Sequence, residues 1–316
     1  KIVQVGGERN PLYVVPLPEL SSGEKVLLRK IEETAINEIE IDPTSLLDRK
    51  KAEELFLKRV LEVMKKNFPE TPPMRRKDFA KLIVPNMLGY GLLEFLLADD
   101  ALEDILVVGT GKPVYVYHRE YGACRTNITF DSEDEILRII ERIARSVERR
   151  IDRATPLLDA RLQDGSRANA TVPPIAPNGP NITIRKFRRE PLTVANLINF
   201  KTLNLEVAAY LWLIVEGLGI KAGNILVAGG SSSGKTSTLN CLASFIQPTD
   251  RVITIEDTAE LQMHVEHSIR LETKPPSVEG GGEISMDDLV KNTLRMRPDR
   301  IIVGEIRGPE ARTMFT

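Results

Sequence analysis

The run Gly229-Gly230-Ser231-Ser232-Ser233-Gly234-Lys235-Thr236 places glycine, lysine and a hydroxyl at the spacing of a phosphate-binding loop, G-x-x-x-x-G-K-[ST]. Glycines let successive backbone N–H groups turn inward around phosphate oxygens. A helix starting at the end of the loop, over Thr236-Ser237 and onward, would direct its positive end at the same anion. In that setting Lys235 reaches the β- and γ-phosphates and Thr236 ligates Mg²⁺. The apolar run Ile225–Ala228 before the loop is expected to be the strand that carries it.

Acids at the ends of two further apolar runs complete the chemistry. Glu256-Asp257 close the run RVITIED, where a carboxylate beside a γ-phosphate could orient or deprotonate water. Glu305 closes RIIVGE and is expected to hold magnesium or its waters. Arg167 in DGSR and Arg185 in TIRKF could place guanidinium groups on phosphate, against the ordinary reading of solvated surface arginines. Arg295, Arg297 and Arg307 flank the acidic strand as fingers or as ion-pair partners. His264 and His267 lack a third ligand at metal spacing and read as structural or exposed. Cys241 and Trp212 read as packing residues. RKFRR (185–189) is too short, and too close to acids, to read as a nucleic-acid patch.

The elements that must position these residues fall into four segments. Residues 1–75 read as a helical N-terminal element. Ser21 and Glu24 have capping-box spacing for a helix through about Glu40, a second helix spans about 48–66, and Pro69–Arg76 reads as a proline connector. Residues 76–190 read as an α/β domain: helix over 79–98, β-like segments at 105–108, 114–118 and 127–130, an amphipathic helix over 132–148, a glycine turn, and a strand ITIRKF. Residues 191–204 are a linker with a short helix. From 205 to 316 helices alternate with short apolar strands, the grammar of a parallel sheet covered on both faces. The fold class is therefore α/β, with VEGGGE (278–283) as a flexible loop.

Composition narrows the possibilities further. The 316 residues are 42% hydrophobic and 28% charged with a net charge of −2, which excludes wholesale disorder and offers no global attraction for nucleic acid or anionic lipid. Two cysteines and three histidines exclude a disulfide framework and a four-thiolate zinc centre, and fit a reducing, cytoplasmic compartment. No run approaches the roughly 20 apolar residues that span a bilayer, and no signal-peptide pattern opens the chain. The first residue is Lys1 rather than Met, so a trimmed chain with motifs outside it is expected.

TIEDTAEL, HSIRLETKPP, LRMRPDRIIVGEIRGPEA and GGSSSGKTST together resemble the secretion-superfamily ATPases, which include type II and type IV secretion traffic ATPases, type IV pilus assembly ATPases and the archaellum motor ATPase. GYGLLEFLLADDALEDILVVGTGKPVYVYHREYG and DGSRANATVPP…ITIRKF extend the resemblance, so that it covers roughly 80–316. RMRPDRIIVGE, LETKPP and EGGGEI lean toward the tight-adherence pilus and type IV traffic branch. The resemblance implies a small N-terminal α/β domain before a RecA-like P-loop domain. It also implies Mg²⁺-dependent ATP hydrolysis in a homo-hexameric ring, working on a membrane-embedded platform or secretion-machine protein at the inner face of the membrane, with no membrane insertion of its own. It assigns Glu256 to water activation, Glu305 to the Walker B position that follows Gly304, and Arg167 and Arg185 to phosphate. The family's histidine-containing box is expected downstream of Thr316. Two other readings are a RecA-like nucleic-acid motor and a nucleotide-binding structural or regulatory ring without turnover.

Overall fold

The computed structural model describes residues 1–316 except 5, 6, 8, 9, 40–48, 188, 189, 231, 232, 275–281, 307, 309, 315 and 316, with backbone only at 49 and 50. The chain divides into two compact units, Lys1–Lys186 and Phe187–Thr316.

The first unit opens with short strands β1 (Ile2–Val3) and β2 (Leu12–Tyr13), then helices α1 (Ser22–Glu38), α2 (Arg49–Asn67) and α3 (Pro73–Leu88). The Ser21–Glu24 capping box forms as its spacing requires, each partner satisfying a free N–H at the helix start. The segment read as a proline connector in fact starts α3. Pro73 sits in the first turn, where its missing N–H costs nothing and its fixed φ suits a helix. The three helices bury Ile31, Ala35, Phe56, Val60, Met64, Phe79 and Ile83 among themselves. The expected ends of the first two helices, at Glu40 and Asp48, lie outside the described residues.

After α4 (Leu93–Leu97) come β3 (Leu102–Val107), β4 (Pro113–His118), β5 (Gly122–Thr129), α5 (Glu133–Ser146), β6 (Leu157–Arg161), β7 (Arg167–Thr171) and β8 (Asn181–Arg185). The sheet runs β1-β2-β5-β4-β3-β8-β7-β6. Its inner face and α5 share one core, which includes Ile105, Val116, Ile128, Ile136, Ile140, Ala168, Ala170 and Ile184. Period-2 burial along β6, β7 and β8 turns every second side chain outward. Ile140 is fully buried. We expect Ile140→Ala to lower the stability of this unit by about 2–5 kcal/mol, read from the urea unfolding midpoint.

The second unit contains α6 (Val194–Asn199), α7 (Leu205–Glu216) and a short 3₁₀ turn at Gly217–Gly219, then α8 (Lys235–Ala243), β9 (Val252–Glu256), β10 (Ser268–Glu272), α9 (Met286–Thr293), β11 (Arg300–Val303) and α10 (Glu310–Met314). The three strands form a parallel sheet in the order β10-β9-β11. β9 is its centre, buried at every position. The expected strand at Ile225–Ala228 is not formed: residues 221–230 have no regular hydrogen-bonded structure, and Leu226 is 73% exposed. An apolar run favours extended backbone, but its ladder partner comes from elsewhere in the chain, and periodicity does not report that partner. Trp212, read as core, is 54% exposed and stacks on Phe245 at 5.6 Å. Of the expected flexible loop VEGGGE, residues 278–281 lie outside the described residues.

Candidate functional site

Helix α8 begins directly at Lys235, following Gly234 with φ 87° and ψ 17°. That left-handed backbone favours glycine, which is why the loop's last glycine stands where the chain turns into the helix. No side chain caps the helix start, so its first N–H groups have no intrahelical partner and face the loop. Lys235 Nζ donates to Gly230 O at 2.7 Å, spanning the loop from the helix back to its entry. A Cβ at Gly229 would stand 2.6 Å from Ser233 Oγ, so a side chain there would turn the Ser233 hydroxyl aside. Lys235, Thr236 and Ser237 are half-buried along the first helical turn, while Gly229, Gly230, Ser233 and Gly234 are exposed. Ser231 and Ser232 lie outside the described residues.

Glu256 ends β9 and is 3% exposed. Its Oε1 accepts hydrogen bonds from the N–H groups of Glu260 and Leu261, each at 2.9 Å. Its Oε2 is buried without a hydrogen-bond partner. Burial raises the carboxyl pKa above the ordinary glutamate value, and the two N–H donors and the Arg270 guanidinium offset only part of that shift. The next residue, Asp257, is exposed and accepts from Thr273 Oγ1 at 3.1 Å.

Parallel pairing of β11 with β9 brings Gly304 beside Glu256: Val303 faces Ile255 in register, and Gly304 N donates to Ile255 O at 2.9 Å. A Cβ on Gly304 would stand 2.8 Å from Glu256 Cγ and 3.2 Å from Oε1. Glycine before the second acid therefore makes room for the first. Reading the motif by type alone leaves this coupling unseen; the signal that carries it is the pair of apolar runs ending at the same level. Glu305 follows on the exposed side. Thr236 hydroxyl, Glu305 carboxylate and the unpartnered Glu256 Oε2 are hard oxygen donors, a chemistry that suits Mg²⁺, which takes one or two protein ligands beside phosphate.

Asn240 of α8 accepts from Gln262 N at 2.8 Å, tying the helix that begins at Lys235 to the segment that follows Glu256. Arg300 anchors β11, donating to Asp250 at 2.8 Å and to Val215 O at 2.7 Å. Arg251 contacts His267 and donates to Met296 O at 2.9 Å. His264 and His267 are exposed, and Cys241 is buried. Arg295 and Arg297 are exposed, and Arg307 lies outside the described residues. Among the described residues, no three His, Cys, Asp or Glu side chains gather as a metal centre.

The other two predicted arginines belong to the first unit. Arg167 and Arg185 are direct partners across β7 and β8 and share one sheet face. Arg167 forks onto Asp159 with contacts of 3.0 and 2.6 Å, and Arg185 lies 3.9 Å from Asp104.

Residues 88–315 match the family described as Type II/IV secretion system protein. An uncharacterized protein of Methanocaldococcus jannaschii is 53% identical over 228 residues, which cover 71% of this chain and 31% of the relative. A putative conjugal transfer protein of Mycobacterium tuberculosis is 33% identical over 236 residues, which cover 73% of this chain and 65% of the relative. Among solved structures, the Legionella pneumophila ATPase DotB is similar at 20% identity, covering 70% of this chain and 59% of that chain, with a TM-score of 0.46. The chain thus spans 31% to 65% of the length of these two curated relatives.

Proposed function

Because the chain belongs to the type II/IV secretion system protein family, we propose that it is an ATPase that binds Mg²⁺–ATP at Gly229–Ser237 and hydrolyses it with Glu256 as general base. The observation that carries this reading is Glu256 itself. A carboxylate buried at the end of a central parallel strand, with one oxygen fixed by two N–H groups and the other unpartnered, is costly to keep as structure alone. It lies in the same unit as a lysine-threonine phosphate loop. In this reading the loop amides and Lys235 bind the β- and γ-phosphates. Thr236 and Glu305 would hold Mg²⁺, Glu305 partly through water. Bound Mg²⁺ supplies neutralisation of charge on the phosphate oxygens. Glu256 orients water and accepts its proton, and Arg167 and Arg185 contact phosphate.

Beyond the chemistry, we propose a homo-hexameric ring of the tight-adherence pilus and type IV traffic type. It would work from the cytoplasmic face on a membrane-embedded platform or secretion-machine protein, and drive filament assembly or protein export by nucleotide-linked domain motion. Among the described residues, no helix is long and apolar enough to cross a membrane.

Magnesium-dependent ATP turnover of the full-length protein, measured against protein concentration, tests the reading. We expect specific activity to rise cooperatively with concentration as rings assemble. Concentration-independent turnover would overturn the ring, and tight ATP binding without turnover would overturn the enzyme in favour of a regulator.

A further inference from the structure

Strands β9 and β10 are parallel neighbours, and the link between them, residues 257–267, contains no helix. A parallel crossover usually satisfies its backbone through a helix. Here Ala259, Leu261 and Val265 are buried, so the backbone around them must find other partners. Side chains from three elements supply them. Glu256 Oε1, at the end of β9, accepts from the N–H groups of Glu260 and Leu261, each at 2.9 Å. Asn240 Oδ1, on α8, accepts from Gln262 N at 2.8 Å. Arg270, on β10, donates from its guanidinium to Leu261 O.

The peptide joining Leu261 and Gln262 is therefore gripped at both ends, its carbonyl by Arg270 and its N–H by Asn240. The two N–H groups that fix Glu256 belong to the two peptides just before it. Arg270 pairs with Thr254 in parallel register, which puts it on the face of the sheet that carries Glu256 two residues further on. An exposed arginine on a strand ordinarily points into water. This one is exposed as a residue, yet its guanidinium turns back onto the carbonyl of a fully buried leucine. The charged groups on the elements beside Glu256 are Asp257 and Glu260 in the link, Arg270 and Glu272 on β10, Glu305 after β11 and Lys235 on α8. Burial raises the Glu256 pKa, and Arg270 is the cation that offsets part of the rise.

We propose that Arg270 is a positioning residue for hydrolysis: it fixes the peptide after Leu261, and through it the two N–H groups that aim the Glu256 carboxylate. The inference rests on the proposed ATPase reading for the reaction, and on contacts within the second unit for the clasp. Arg270 touches no phosphate in this account and acts only through the link.

The test uses the full-length protein and its Arg270→Ala, Arg270→Lys and Arg270→Gln variants, beside Glu256→Gln. Two readouts are taken: kcat and KM for ATP across pH, and amide hydrogen exchange over 257–267. Arg270→Ala should lower kcat about tenfold with KM within twofold, the size expected for losing one charged hydrogen bond. It should also speed exchange in the link and move the acidic limb of kcat to higher pH, since burial then acts on Glu256 without the neighbouring cation. Lysine keeps the charge and a donor, so it should restore the limb and part of kcat. Glutamine keeps a donor without the charge, so it should recover part of kcat and leave the limb displaced. A lower melting temperature in Arg270→Ala, with kcat within twofold of wild type and the limb unmoved, would overturn the proposal. So would unchanged exchange over 257–267. Native-rate turnover by Glu256→Gln, or none by the wild type, would instead overturn the ATPase reading, while exchange that quickens in Arg270→Ala would leave the clasp standing.

Discussion

Glu256→Gln should lower ATP turnover by about 10²–10⁴-fold while leaving ATP binding nearly unchanged, because a positioned general base contributes on that scale and glutamine cannot take the proton. The substitution keeps the shape of the side chain, and its amide oxygen can still accept from the Glu260 and Leu261 N–H groups. The loss should therefore appear in kcat with little change in KM, the signature of an interaction made in the transition state. Lys235→Ala should differ in kind. Removing the ammonium that reaches the phosphates should weaken binding as well as turnover. The pH dependence follows from the direction of the Glu256 shift. Burial raises its pKa, and the group must be ionised to act as base, so the acidic limb of kcat should lie above the ordinary glutamate range. The linked stability term has the opposite sense to that of an ion-paired carboxylate. As pH rises from the unfolded glutamate value through the raised folded value, the unfolded chain releases the proton first and the stability of this unit declines. A turnover profile recorded beside Glu256→Gln, with thermal melts across the same pH range, checks both signs. An acidic limb at the usual carboxylate position would remove burial from the account.

How much of this was legible in the sequence varies by residue for physical reasons. The cap at Ser21, the helix over Glu133–Ser146 and the helix beginning at Lys235 are local: capping spacing, an apolar stripe and a left-handed glycine are all settled within a few residues. The termini of RVITIED and RIIVGE were equally readable as acid-bearing strand ends, and both form strands. What the sequence did not show is pairing. The apolar run at Ile225–Ala228 looks like a strand and stands outside every ladder. Ser268–Glu272, with two of its five positions exposed and none buried, forms a ladder without advertising it. Leu157–Arg161 was hidden in the same way, since its inward positions include an alanine and its outward ones mix an exposed leucine with Asp159 and Arg161. Each of these depends on a partner far along the chain, and sequence pattern carries face but not partner. The sequence also gave no hint of which groups touch: Glu256 and Gly304 are 48 positions apart and meet only because β9 and β11 pair in parallel register.

That meeting makes Gly304→Ala the substitution with the most to say about the site. A single methyl group at Gly304 would enter at 2.8 Å from Glu256 Cγ, closer than real side chains approach, and at 3.2 Å from the oxygen that accepts two N–H bonds. Something must move, and the neighbours are unequal. Gly304 is held by its bond to Ile255 O within the strand register, whereas Glu256 can rotate about its side-chain torsions. Rotation would pull Oε1 off the Glu260 and Leu261 N–H groups and carry Oε2 away from its buried position. A displacement near 1 Å in a group that orients water costs on the order of 10²-fold in rate. We therefore expect Gly304→Ala to reduce kcat by about that factor, keep ATP affinity close to wild type, and leave the first unit's unfolding unchanged. Unfolding alone could mimic the rate loss, and a double variant separates the two. If methyl entry acts through Glu256, adding Gly304→Ala to Glu256→Gln should cost little further turnover, since the base is already gone. Multiplication of the two losses would mean that Gly304 serves the site by another route, with Glu305, its neighbour in the chain, as the first place to look.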